Sequence, residues 1–277
     1  MLILCLPVVS LVDKLHLTFV KVVLGVPTRT TNWVIRSETG RYPLALRAWE
    51  SMVKYWHHLN NTDSNLLKSA LLTNKRLASE GFPSWYAYLD RLLRNTNLGH
   101  LPILADNIEL ALQINKVKDK LQRFFVSSWD MEKLKAQNEG KLELFASLKD
   151  SFGYSKYLSE VKNPNHRIAL TRMRASAHSF PIESGRYNST PRCDRECSLG
   201  CGVLGDEYHY MNACSHPFIN ELIVGAREKI SILDNNFIHL GVAEKLNFML
   251  NNKDTRILLI MGKFCYKLQE QFKELTL

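Results

Sequence analysis

The chain has 277 residues, 45% of them hydrophobic and 23% charged, and a formal net charge of +9. That is enough apolar material for one large core or two smaller ones, and it excludes a disordered chain. The surplus of cations points to an anionic partner, nucleic acid ahead of an anionic membrane surface, because Lys and Arg concentrate phosphate polymers around a protein.

The opening stretch MLILCLPVVSLV is apolar but lacks a basic flank and a small-residue cleavage site. At about 1.5 Å per residue it is too short to cross a bilayer. It reads as the start of a core helix, or as the product of a misassigned start codon, and not as a signal peptide. The six cysteines therefore read as reduced thiols or metal ligands, and the location as intracellular, nuclear or cytoplasmic, not secreted. GVPTRTTN marks a turn, and NWVIRS around Val34 reads as a short strand.

Helical periodicity then dominates. In PLALRAWESMVKYWHHL the apolar residues Leu46, Trp49, Val53 and Trp56 step by three and four, with His57 and His58 read as a solvated pair. EGFPSW and GHLP mark further turns. A capping box of Asp106 and Glu109 opens a second helix that turns Leu110, Ile114, Val117, Leu121 and Phe124 inward, with Lys116, Lys118, Lys120 and Arg123 over the rest of its surface. KNPN is another turn, and the composition changes at 163–165. A last helix starting near Asp254 and Thr255 carries Leu258, Met261, Cys265, Leu268 and Phe272 inward. The expected fold is mainly α: a helical array over 1–162, an Arg-rich segment over 163–217, and C-terminal helices over 218–277.

The segment ECSLGCGVLGDEYHYMNAC concentrates Cys197, Cys201, His209 and Cys214 at the spacing C-x3-C-x7-H-x4-C. Zinc takes four sulfur or imidazole donors at tetrahedral corners, with sulfur at about 2.3 Å and nitrogen at about 2.0 to 2.1 Å. The first pair can close one edge through a tight turn that Gly200 and Gly202 permit, and His209 and Cys214 close the opposite edge after a loop containing Gly205. The competing reading is a set of buried thiols beside a solvated histidine. Cys193 repeats the x3 spacing and could replace a ligand, and His216 is a second spare. A filled Cys3His site leaves no open position for water, so one zinc ion here would be structural. Its binding energy would then be folding energy for a segment with few apolar residues.

Upstream stands a basic run with Arg167, Arg172, Arg174, Arg186, Arg192 and Arg195 plus His166 and His178. Arginine suits phosphate because its planar fork makes two parallel hydrogen bonds. Phe180 and Tyr187 lie within the run, and Tyr208 and Tyr210 flank His209. Cations for the backbone and rings for unpaired bases are the mixture of a single-strand or structured-RNA binder. The candidate contacts are Arg167, Arg172, Arg174, His178, Arg186, Tyr187, Arg192, Arg195 and Tyr210. The alternative is a solvated face on which Glu183, Asp194 and Glu196 pair some of the arginines.

VLGVPTRTTNWVIRSETGRYPL, YW at 55 and 56, PSW at 83 to 85, LTRMRASAHSFPIESGRY, PR at 191 and the cysteine-histidine motif around GDEYHY together resemble the region that follows the polymerase core in LINE-type (non-LTR) retrotransposon polyproteins. The resemblance runs from about Leu15 to about Pro217. IESGRY combined with the cysteine-histidine tail is its specific part. It implies a nucleic-acid-binding region with zinc on Cys197, Cys201, His209 and Cys214. Cys193 is an extra cysteine, and Arg36 and Thr39 stand where a small and a large apolar residue are expected. Neither a paired-aspartate polymerase motif nor an endonuclease constellation occurs in the chain.

The reading is a retroelement-derived segment that binds RNA or DNA, single-stranded or structured, without catalysis or membrane attachment, a protein partner being compatible with it. The alternative from another class is a helical protein-interaction scaffold in which zinc only fixes shape. An enzyme is the poorest fit, since no Ser/His/Asp grouping and no Gly-rich phosphate loop appears.

Overall fold

In the computed structural model, residues 7–95 and 107–276 are described, without the side chains of 7–10, 95 and 107–111. They form α1 (Pro7–Val23), α2 (Asn32–Thr39), α3 (Leu44–Asn61), α4 (Asn65–Ser79), α5 (Trp85–Asn95), α6 (Asn107–Asn138), α7 (Glu143–Leu148), α8 (Tyr157–Glu160), α9 (Pro164–Arg174), α10 (Pro181–Tyr187), α11 (Glu207–Asn212), α12 (Pro217–Leu233), α13 (Val242–Asn251) and α14 (Thr255–Thr276). Among the described residues there is no strand, only the isolated bridges Thr39–Tyr154 and Glu196–Leu204. The fold is mainly α, and no described helix is long and apolar enough to cross a membrane.

Two units form, one of 1–17 and 42–131, the other of 18–41 and 132–277. These limits cut the chain elsewhere than at 162/163 and 217/218. In the first unit, α3, α5 and α6 bury Trp49, Val53, Trp56, Leu89, Leu92, Val117 and Leu121 in one cluster. Helix α3 buries a wider face than its spacing suggests, because Met52, His57 and Leu59 are also covered. His57 is therefore not half of a solvated pair: it lies 3.1 Å from the Asn61 amide, while His58 is exposed. On α6, Ile114, Val117 and Leu121 point inward as expected, but Phe124 is exposed and its neighbour Phe125 packs against Tyr42, ring centroids 5.6 Å apart. At 3.6 residues per turn, positions 124 and 125 flank the stripe of Ile114, Val117 and Leu121 about equally, so the spacing alone does not choose between them. Lys116, Lys118, Lys120 and Arg123 cover the outer face. Asp106, the side chains of Glu109 and Leu110, and the GHLP turn lie outside the described residues.

In the second unit, NWVIRS is the start of helix α2, not a strand. Val34, Ile35, Ser37 and Glu38 are all buried, and a short segment covered on every side has no periodicity that tells helix from strand. KNPN starts α9: Asn163 accepts hydrogen bonds from the backbone N–H groups of Asn165 and His166 at 3.0 and 3.2 Å, with Pro164 in the first turn. Helices α9, α12, α13 and α14 bury Leu170, Met173, Ile219, Ile223, Met249, Leu258, Met261, Cys265, Leu268 and Phe272 in one core, so the last helix carries inward the residues its spacing selects.

That core holds a buried ion pair. Arg174 of α9 grips Glu38 of α2 with both edges of its fork, Nε to Oε2 and Nη2 to Oε1 each 3.0 Å, and a third N–H goes to the Leu250 carbonyl. Burial works to raise the Glu38 carboxyl, but the charge and hydrogen bonds of Arg174, helped by Lys149, hold it below the usual carboxylate range. One side chain thus links α2, α9 and the end of α13.

Candidate metal centre and basic surface

The metal motif begins where Cys197 N–H donates to the Val203 carbonyl at 2.7 Å, closing a small loop next to the Glu196–Leu204 bridge. Gly200 donates back to the Cys197 carbonyl at 3.2 Å. Gly200 and Gly202 sit at φ 82° and 65° with open space around them, so the turn requires glycine for its backbone and not for lack of room. The two turns bring Cys201 back beside Cys197. His209 enters on α11, whose N-cap Asp206 accepts from the His209 backbone N–H at 2.8 Å. Cys214 N–H then donates to the His209 carbonyl at 2.9 Å, which ends the helix and returns the chain to the cluster. Tyr210 closes the floor: its hydroxyl accepts from the Ser198 backbone N–H at 3.1 Å.

The result gathers one donor atom from each of Cys197, Cys201, His209 and Cys214 within 4.8 Å of one another. The Cys201 and Cys214 sulfurs are 3.7 Å apart. A tetrahedron with about 2.3 Å zinc–sulfur bonds has sulfur edges of about 3.8 Å, so this edge already has the length a zinc ion requires. The donor set is three thiols and one imidazole. His209 Nε2 is buried with no hydrogen-bond partner among the described residues, an arrangement that costs roughly 1 to 3 kcal/mol unless something else binds it. Burial pushes the Cys201 thiol up, but hydrogen bonds with Ser215, Cys197 and Cys214 outweigh it and bring the thiol down to about 6. Burial pushes Cys214 up to about 12. The Cys201 and Cys214 sulfurs lie within hydrogen-bond reach of each other, and a sulfur-binding cation would displace the thiol protons of the set. This set can hold one metal ion such as zinc.

The spares are elsewhere. Cys193 is exposed on the short 3-10 turn Arg192–Asp194 and His216 caps α12; neither belongs to the cluster. Protein purified in reducing buffer without chelator should carry about one zinc per chain. By metal analysis, Cys201→Ser and His209→Ala should each lose it, and Cys193→Ser should keep it. Loss from Cys193→Ser with retention by His209→Ala would show the ligand set to be wrong.

The arginine run does not form one surface. Arg174, only 2% exposed, is the partner of Glu38. His178 is buried with Nε2 2.9 Å from Glu207 Oε1, which also accepts from Ser176 at 3.1 Å. Tyr210 is fully buried against Phe180 and Phe272. These three are corrections: each satisfies the core and is out of reach of a polymer at the surface. Arg195 is a staple, donating to the Thr190 and Ile182 carbonyls at 2.9 Å each. Arg186 pairs with Glu183 at 2.8 Å, the acid pairing anticipated for this stretch, and Arg167 donates to the Val161 carbonyl at 3.1 Å. Arg192 is exposed and paired with Glu143 at 2.8 Å. Arg172 and Tyr187 are exposed and line the same cleft.

Two groups of residues beside these features escape the sequence reading. Asp206 has a local signal, an N-cap acid three residues before the histidine it positions. Arg29 and Lys273, which join Arg172 at the cleft, have none, since they stand far from it along the chain.

Fold and site together define a mainly helical protein with a buried Cys-Cys-His-Cys cluster. Comparison with protein-family models, with curated proteins and with solved structures yields no match.

Proposed function

We propose that this chain is a zinc-pinned nucleic-acid-binding segment, derived from a LINE-type retroelement polyprotein, that holds single-stranded or structured RNA or DNA without catalysis of its own. The observation that carries the reading is unneutralised charge. The formal surplus is +9, and in the second unit the exposed cations Arg29, Arg172, Lys263, Lys267 and Lys273 make no ion pair with any described residue, whereas the buried Arg174 has its carboxylate. Surface cations left without acids are the ones free to displace counterions from a phosphate backbone. The retroelement origin rests on the residues of the resemblance. Their specific part, Ile182–Glu183–Ser184–Gly185–Arg186–Tyr187, forms most of α10 and ends on the exposed Tyr187.

Fluorescence anisotropy with labelled RNA hairpins and single strands over a range of salt tests this. The logarithm of affinity should fall linearly with the logarithm of salt concentration, with a slope of about 0.7 per phosphate contact on single strands. Weak binding that ignores salt would reject the reading. The scaffold alternative has its own observation, a groove of about 990 Å³ between α12 and α14 in which Leu222, Val224, Leu259, Ile260 and Phe264 are rimmed by Glu221, Glu228, Lys229, Lys263 and Lys267.

A further inference from the structure

Helices α9, α10 and α14 and the turn following α1 enclose a cleft of about 790 Å³. One wall is fixed by Gly25 at φ 64°, packed against Ile168 so closely that an added Cβ would fall 2.6 Å from it. Arg172 Nε ties the same turn down by donating to the Gly25 carbonyl at 2.6 Å. Its remaining guanidinium N–H groups have no partner among the described residues.

Arg29, on that turn, makes neither a hydrogen bond nor an ion pair with any described residue. Its guanidinium instead lies over the Tyr187 ring, 3.8 Å from the centroid. Tyr187 is 53% exposed. A flat cationic stack left open to solvent is a platform for another flat ring. Lys273 adds a third cation from α14, and Glu270 is the acid on the same lining, so positive charge remains in excess. A planar group beside two further cations matches one chemistry, that of a nucleotide.

We propose that this cleft holds one unpaired nucleotide of a single strand, its base extending the Arg29–Tyr187 stack and its phosphates on Arg172 and Lys273. The assignment rests on the nucleic-acid reading and sharpens it. A base within a duplex is already stacked on its neighbours and cannot use the platform, so the cleft selects unpaired strand. The cleft has no Gly-rich phosphate loop, so a free mononucleotide binds far more weakly than the same unit in a strand.

The test is anisotropy of fluorescein-labelled oligo(U) and of an RNA duplex of equal length, across salt, on the full chain. Tyr187→Ala should weaken oligo(U) binding by about 5- to 150-fold with an unchanged salt slope and leave the duplex alone. Tyr187→Phe should bind as wild type, because the ring and not the hydroxyl is used. Lys273→Gln should flatten the slope by about 0.7, and Arg29→Gln should lower affinity and slope together. All three side chains are exposed, and thermal melts verify that the variants fold. If wild type binds oligo(U) in a salt-dependent manner while Tyr187→Ala and Arg29→Gln match it, the cleft assignment is overturned and the nucleic-acid reading stands. If wild type shows no salt-dependent binding to any strand, the broader reading is what fails. Competition by free UMP at the strand's own affinity would overturn the strand assignment in favour of a mononucleotide pocket.

Discussion

Removing the metal should unfold the whole second unit, not only the loop that carries the ligands. Cys197 and Cys214 belong to the same buried cluster as Met173 of α9, Ile219 of α12 and Leu268 of α14. Tyr210 and Met211, on the helix that holds His209, are fully buried there as well. Structural zinc contributes about 10 to 16 kcal/mol at neutral pH in small zinc domains, against a whole-domain stability of about 5 to 15 kcal/mol. Without it, three thiols and an imidazole are left in an apolar site. Hydrogen exchange of chelated full-length protein should therefore show lost protection across α9, α12 and α14. The core around Trp49 and Leu121, which contains no ligand, should keep its protection. Cys214→Ser should reproduce the chelator's effect. Metal-free protein with α12 and α14 still protected would mean that the core stands without the ion.

Arg174→Met should be the most damaging single substitution away from the metal. Methionine fits the volume of the arginine stem but leaves Glu38 ionised in the core with two lost hydrogen bonds, and it strips the Leu250 carbonyl of its donor. Breaking one side of a buried pair costs about 3 to 5 kcal/mol, seen as a thermal midpoint lower by roughly 6 to 20 °C. The double variant Glu38→Leu with Arg174→Met should recover much of that, because the stranded charge disappears with its partner. The pH dependence has a definite sign. The carboxyl of Glu38 is lowered on folding, so its contribution is complete above the unfolded value of about 4.3 and lost as pH falls through the lowered one. Wild type should therefore lose stability on acidification in this range, and the double variant should lose less. A single variant within about 1 kcal/mol of wild type would contradict the account.

The same pair shows why part of the site could not be read along the chain. Arg174 and Arg172 stand two residues apart in one basic run, and nothing local separates them. On α9 they fall on different faces; one meets Glu38 from a helix far upstream and the other the open cleft. Composition places His178 and Tyr210 in the same basic and aromatic stretch, and core packing buries both.

What the sequence by itself determined is what short-range geometry controls. The spacing of Leu258, Met261, Cys265, Leu268 and Phe272 sets the buried face of α14, because a helix repeats every 3.6 residues whatever it packs against. The four metal donors are equally legible, since each pair is joined through a tight local turn whose glycines or helix cap lie within a few residues of the ligand. Only the tertiary structure decided that NWVIRS is helical, that His57 is covered, which arginines stay exposed, and that Arg29 and Lys273 line one cleft with Arg172. Those outcomes depend on contacts between segments far apart in sequence, where burial and the nearest carboxylate, not the residue's own chemistry, decide whether a charge is structure or surface.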